Sequence, residues 1–326
     1  MVDFPKLFDR NFIIGYFLPL AVFLAVGSSF AAIIGVPFDT KEFVKANPFL
    51  SGFIIWLGAV LLLGVNRQVV RILEGYGRYN PLRIWRFIEV RRFNSLNKSV
   101  ETLDQEFLAA GSALEKDRIR AHRRKLLALL AERFPDSAAF LLPTAFGNVL
   151  RAFEIYPREI YGFEAICGWS RILAIVPKDF RELIDSAKAQ VDFWLNLWAL
   201  SSIFFVGSFS AIIYLGSWKH IVLIVGSLIV GWISSRCARS SAAQWGEMVK
   251  AAFDVFLPAL RKQLGFEGSL SRADERKLWV GFSQVMTFRL RDSLPDQPTQ
   301  DTEKPRLATR LQEWVDAIGR CFFCFL

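Results

Sequence analysis

The sequence predicts an all-α integral membrane protein, with four transmembrane helices and a helical cytoplasmic domain. Three observations predict it. Of the 326 residues, 53% are hydrophobic and 22% charged, too apolar for an ordinary soluble domain and too charged for membrane helices alone. Four long apolar runs stand out. Lys and Arg collect behind two of them, within a net charge of +9.

A helix needs about 20 apolar residues to cross the hydrocarbon core. The first run, about Phe12 to Val36, and the third, about Val191 to Leu215, meet this directly. The second, Phe49 to Val65, reaches it if Asn47 and Asn66 sit in the interface. The fourth, Ile221 to Ile233, must continue through Ser234, Ser235 and Cys237 toward Ala238. A cleaved signal peptide is the competing reading of the first run, with Ser29-Phe30-Ala31 as the cleavage step. That run is longer than a signal core, and its start mixes Asp3 and Asp9 with Lys6 and Arg10, so an uncleaved helix is expected.

Positive side chains mark the inner side of a membrane. Arg67, Arg71, Arg78, Arg83, Arg86, Arg91 and Arg92 crowd behind the second run, against only Glu74 and Glu89. This membrane-surface basic cluster puts residues 67–190 inside, as Arg236 and Arg239 do for the chain after the fourth run. Lys41 and Lys45 are balanced by Asp39 and Glu42, and Gly216 to His220 is a tight turn, so both links can lie outside. Trp194, Trp198, Trp218 and Trp232 fall at headgroup depth in this frame. Both termini are then cytoplasmic, in a multi-pass protein of the cell inner membrane. The chain divides into a transmembrane hairpin (1–66), a helical cytoplasmic domain (67–190), a second hairpin (191–238) and a cytoplasmic extension and tail (239–326).

Small residues four apart let helices approach closely. Gly27, Ala31 and Gly35 have that spacing, as do Ser227 and Gly231. The third run presents Asn196, Ala199, Ile203, Gly207, Ser210 and Tyr214 on one face. This stripe either packs the bundle or lines a pathway, and the sequence leaves both open. No ionisable side chain lies mid-run; Asp192 sits at the inner mouth of the third run. That argues against a proton-driven pump but not against a channel with an apolar constriction.

After the Asn80-Pro81 break, Ile84, Trp85, Phe87 and Ile88 interleave with arginines. Beside a membrane this reads as an interfacial helix, and nucleic acid is not an expected partner. Lys98 to Phe134 is helical with a weak point at Gly111-Ser112. Ala165 to Val176 is apolar but too short to span, so it is a core, interfacial or re-entrant helix. Trp245, Val249, Phe253, Phe256 and Leu260 carry the fourth run onward as helix. Ser271 with Asp274 caps the next one. Leu307, Leu311, Trp314, Val315 and Ile318 form an amphipathic pattern in the tail. Glu154, Arg158, Glu159 and Glu164 are the charges of the Leu141 to Val176 stretch. They suit a salt-bridge network or a cytoplasmic interaction region for an unidentified protein partner.

That stretch, with the Asp192-Phe193-Trp194 entry into the third run, resembles a segment of uncharacterised bacterial four-helix integral membrane proteins. The resemblance covers about a fifth of the chain and implies an inner-membrane location, with no activity attached. The order of two helices, a helical domain and two more helices is similar to that of bestrophin-type anion channels and flagellar-stator-type proton channels. The defining motifs of neither are present, so only the architecture is shared.

No phosphate loop, dinucleotide fingerprint, HExxH or nucleophile elbow occurs. Cys321-x-x-Cys324 is half of a zinc pattern without its other half. No metal, cofactor or enzymatic activity is expected. The expected function is an oligomeric channel or pore; the alternative is a membrane-anchored scaffold or signalling/defence component. The expected partners are the lipid bilayer, further copies of the chain and an unidentified protein.

Overall fold

The computed structural model describes residues 9–34, 40–76, 80–215, 220–266, 268 and 270–290. Every regular element among the described residues is a helix. Helix α1 runs through Arg10–Phe12, a π-turn at Ile13–Phe17, and Leu18–Ile34. The short α2 (Thr40–Ala46) precedes α3 (Pro48–Glu74), whose Pro48 stands in the first turn, where a missing N–H costs nothing. A 3-10 turn, Pro81–Trp85, opens α4 (Arg86–Ala109), and α5 is Ala113–Arg133. Then follow α6 (Ala145–Tyr161), α7 (Ala165–Ile175), α8 (Lys178–Leu215), α9 (His220–Gln263) and α10 (Arg272–Phe288).

Helices α1, α3, α8 and α9 are long and apolar enough to cross a membrane. They are the four runs of the sequence. Two of them go well beyond a bilayer: α8 has 38 residues and α9 has 44. At 1.5 Å per residue these helices are about 57 Å and about 66 Å long. The divisions at 190/191 and 238/239 therefore fall inside continuous helices.

The long helices bind the spans to the rest of the chain through one core. It encloses Val69 and Leu73 at the end of α3, Phe153 on α6, Ile172 on α7, Leu195 on α8, Phe253 on α9 and Trp279 on α10. Phe163, at the α6–α7 corner, meets Trp279 edge-on at 5.2 Å and Phe253 at 5.7 Å. The corner turns on Gly162, at φ 79°, where a Cβ would lie 2.9 Å from the Arg276 carbonyl oxygen. Helix α7 buries Ala165, Gly168 and Ile172, so the short apolar run is a core helix.

The weak point at Gly111-Ser112 is the break between α4 and α5, with the Ser112 hydroxyl accepting from the Glu115 amide. Phe93, Phe134 and Leu141 make a small core of their own at this hairpin. Ser271 caps α10 by accepting from the Asp274 amide at 3.2 Å, as its spacing predicts.

The four spans form an open row, not a closed bundle. Helices α1 and α3 pack together and both touch α8; α9 lies along α8 and, among the described residues, has little contact with α1 or α3. Between 17% and 28% of each apolar window is buried, so most of the surface of these four helices is open.

Candidate functional site

Three spans meet at a buried carboxylate. Asp192 of α8 is 5% exposed. Its Oδ2 accepts from the Tyr16 hydroxyl at 2.9 Å and the Lys188 ammonium at 2.8 Å, and its Oδ1 accepts from the Asn66 amide at 3.1 Å. These partners come from α1, α8 and α3. One turn further along α8, the Asn196 amide donates to the Gly15 carbonyl oxygen at 2.8 Å.

Local sequence makes this approach possible. Tyr16 and Gly15 lie in the π-turn of α1, which widens the helix and disturbs its regular bonding. A Cβ at Gly15 would stand 3.3 Å from the Asp192 Cβ, so glycine lets the two helices touch here. Lys188 and Asp192 are four apart and so share a helix face. The ammonium keeps its tip in solvent, with its side chain 40% exposed.

A buried carboxylate is tolerable only when paired and hydrogen-bonded, and this one is both. The centre also holds spare acceptors. The Oδ1 atoms of Asn66 and Asn196 are enclosed and accept no hydrogen bond from the protein. Two free amide oxygens beside a carboxylate can take up a further donor, whether an ammonium, a hydroxyl or water. Among the described residues no three His, Cys, Asp or Glu side chains gather as a metal site. Cys321 and Cys324 lie outside the described residues.

The stripe on α8 divides at this centre. Asn196 is fully enclosed and Ala199 is buried against the core. Further out, Gly207 has no neighbour within 4 Å of a Cβ, and the Ser210 hydroxyl donates to the Val206 carbonyl of its own helix. The Tyr214 side chain is outside the described residues.

Of the charged quartet of the sequence, Arg158, Glu159 and Glu164 stay together, and Glu154 pairs outside it. Glu154 pairs with Arg151 at 3.4 Å, and Arg151 also donates to the Tyr76 hydroxyl at 2.6 Å, tying α6 to the end of α3. Burial pushes the Glu154 carboxyl above its usual range, against the pull of Arg151. Arg158 sits at 3.6 Å from Glu159 and 3.9 Å from Glu164, with its guanidinium 4.7 Å above the Phe140 ring. Thr144 caps α6 and donates to the Leu73 carbonyl oxygen, fastening the same junction.

The basic cluster is on the surface. Arg67, Arg71, Arg83, Arg86, Arg91 and Arg92 are all exposed; Arg78 is outside the described residues. Arg92 pairs with the buried Glu89 at 2.7 Å, and the Asn148 amide donates to Glu89 at 3.3 Å.

The position of Asp192 at the start of the third run is legible in the sequence; most of its partners are not. Lys188, at i−4, was a legible signal. Tyr16 and Asn66 were not, since they stand 176 and 126 positions away. Comparison with family models, curated proteins and solved structures finds no match to this chain.

Proposed function

We propose that the protein is a homo-oligomeric membrane channel in which α8 lines the conduit and the Asp192 centre closes its cytoplasmic mouth. The support is a single face of α8. Asp192, Asn196, Ala199, Ile203, Gly207 and Ser210 share it by the three- and four-residue spacing of a helix. At one end the face is sealed onto α1 and α3 by the bonds of Asp192 and Asn196. Outward it stands open, with Ile203 67% exposed. The open row leaves that face free to meet its equivalent on further copies. The exposed arginines around the α3–α4 junction favour a cytoplasmic domain side, in a cell inner membrane.

Full-length protein in liposomes, tested for ion flux at both signs of voltage beside Asn196→Leu, decides the matter. A net hydrogen bond contributes about 1 kcal/mol, so loosening this one should raise flux about five-fold. Silence from both proteins, each verified as helical and inserted, rejects the channel.

A second reading, a membrane-anchored scaffold or signalling/defence component, is favoured by α5. This helix of 21 residues buries none of them and carries a dense run of arginines. Crosslinking from α5 in cells separates the two. Capture of a distinct protein supports the scaffold; capture of further copies alone counts against it.

A further inference from the structure

The junction between α3 and α4 is held rigidly and turned outward. The Asn80 amide donates to the carbonyl oxygens of Ile72 at 2.7 Å and Tyr76 at 2.9 Å, and its Oδ1 accepts from the Leu82 amide at 2.9 Å. The segment so pinned exposes three large apolar side chains within four residues: Ile84 at 69%, Trp85 at 52% and Phe87 at 68%. Such a patch of exposed apolar side chains in water marks a surface meant to be covered.

Cations surround the patch. Arg83, Arg86 and Arg91 are exposed and make no ion pair among the described residues. Arg86, Arg91 and Lys98 line one open groove of about 730 Å³ together with Phe87 and Val90, and no carboxylate lines it.

The depth of the patch follows from its neighbours. Asn80 ties it to the end of a candidate span. Glu89, in the first turn of α4, lies within electrostatic reach of Arg239, which stands where the apolar run of α9 ends. The start of α4 is therefore level with the headgroups of the leaflet on the domain side. Rings and an aliphatic side chain for the glycerol and upper acyl region, with guanidinium groups for a phosphate, match the chemistry of an anionic phospholipid.

We propose that the 3-10 turn and the first three turns of α4 form a binding site for an anionic phospholipid of that leaflet. It rests on the membrane placement of α3 and α9 and not on conduction.

The test uses full-length protein in nanodiscs of equal phosphatidylglycerol and phosphatidylcholine, with retained lipid counted by native mass spectrometry. Phosphatidylglycerol is expected to be enriched over the supplied ratio. At about 1 kcal/mol per cation near an anionic surface, Arg86→Gln lowers the enrichment about five-fold. Arg83→Gln/Arg86→Gln/Arg91→Gln removes it, and the single variant carries the test if the triple one misfolds. Arg118→Gln/Arg120→Gln/Arg124→Gln on α5 makes the same change in charge and leaves the enrichment intact. Trp85→Ser/Phe87→Ser lowers retention of both lipids. Retention in the supplied ratio, or an equal loss in the α5 variant, overturns the site. Displacement of the lipid by millimolar inorganic phosphate or by single-stranded RNA also overturns it, in favour of a phosphate or nucleic-acid surface. Protein that passes no ions but still enriches phosphatidylglycerol keeps the lipid site and discards only the channel.

Discussion

The two ends of α8 and α9 are held by different forces. On the domain side the contacts are directional and long in sequence: Tyr16 and Asn66 on Asp192, Asn196 on Gly15, and rings interlocked around Phe163 and Phe253. On the outer side they are sparse. Near mid-span Phe23 meets Phe204 edge-on at 5.6 Å, and a Cβ at Gly231 would stand 3.1 Å from the Ser201 hydroxyl. Gly27, Gly52 and Gly207 have nothing within 4 Å of a Cβ. The difference follows from the surroundings. Lipid tails are as apolar as leucine, so an apolar face gains little by closing, whereas a polar group in the same place must find a partner. Geometry is therefore set where polar and aromatic groups gather, and the outer halves stay open.

The largest expected effect is in the aromatic core. Trp279 is fully buried, and Trp279→Ala should cost about 3–5 kcal/mol, read as a loss of thermal stability in detergent. If the outer halves governed stability instead, this variant would melt near the wild type.

Next comes the polar centre. Asp192→Ala leaves the Tyr16 hydroxyl and the Asn66 amide without their acceptor, while the part-exposed Lys188 ammonium returns to solvent, and each buried group left unsatisfied costs about 1–3 kcal/mol. Asp192→Asn keeps an acceptor and should lose clearly less. Equal losses would mean that the carboxylate charge, and not the acceptor geometry, holds the three spans.

One substitution made at both ends sharpens the contrast. A Cβ at Gly246 would overlap the Phe153 ring, so Gly246→Ala should destabilise by about 1–3 kcal/mol. Gly207→Ala enters open space and should be neutral, or stabilise by up to about 1 kcal/mol through helix propensity. A large loss at Gly207 would mean that another chain already covers that face.

The smallest effect concerns pH. Burial raises the Glu154 carboxyl above the usual carboxylate range, so the folded chain favours the protonated form. Stability from this group is fully present below the unfolded value and is lost as pH rises through the folded one. Glu154→Gln should flatten that loss, measured as Tm across the weakly acidic range. An unchanged slope would place the titration elsewhere.

Much of the architecture was legible because it is local. Hydropathy marked the four spans, the Gly111-Ser112 break separated α4 from α5, and the Ser271 cap began α10. The quartet of Glu154, Arg158, Glu159 and Glu164 was harder to read. Which charges pair depends on how α6 sits against the end of α3, and Arg151, absent from the quartet, is the partner Glu154 takes. Asp192 could be placed at the start of the third apolar run, but not its partners.

By itself the sequence determined the four long apolar helices, their order and the arginine-rich segment behind the second, because hydropathy, helical period and charge are properties of neighbouring residues. Only the tertiary structure decided that Tyr16, Asn66 and Asn196 converge on one face of α8. That convergence depends on a π-turn in α1 and on the relative rotation of three helices, neither of which any single segment encodes.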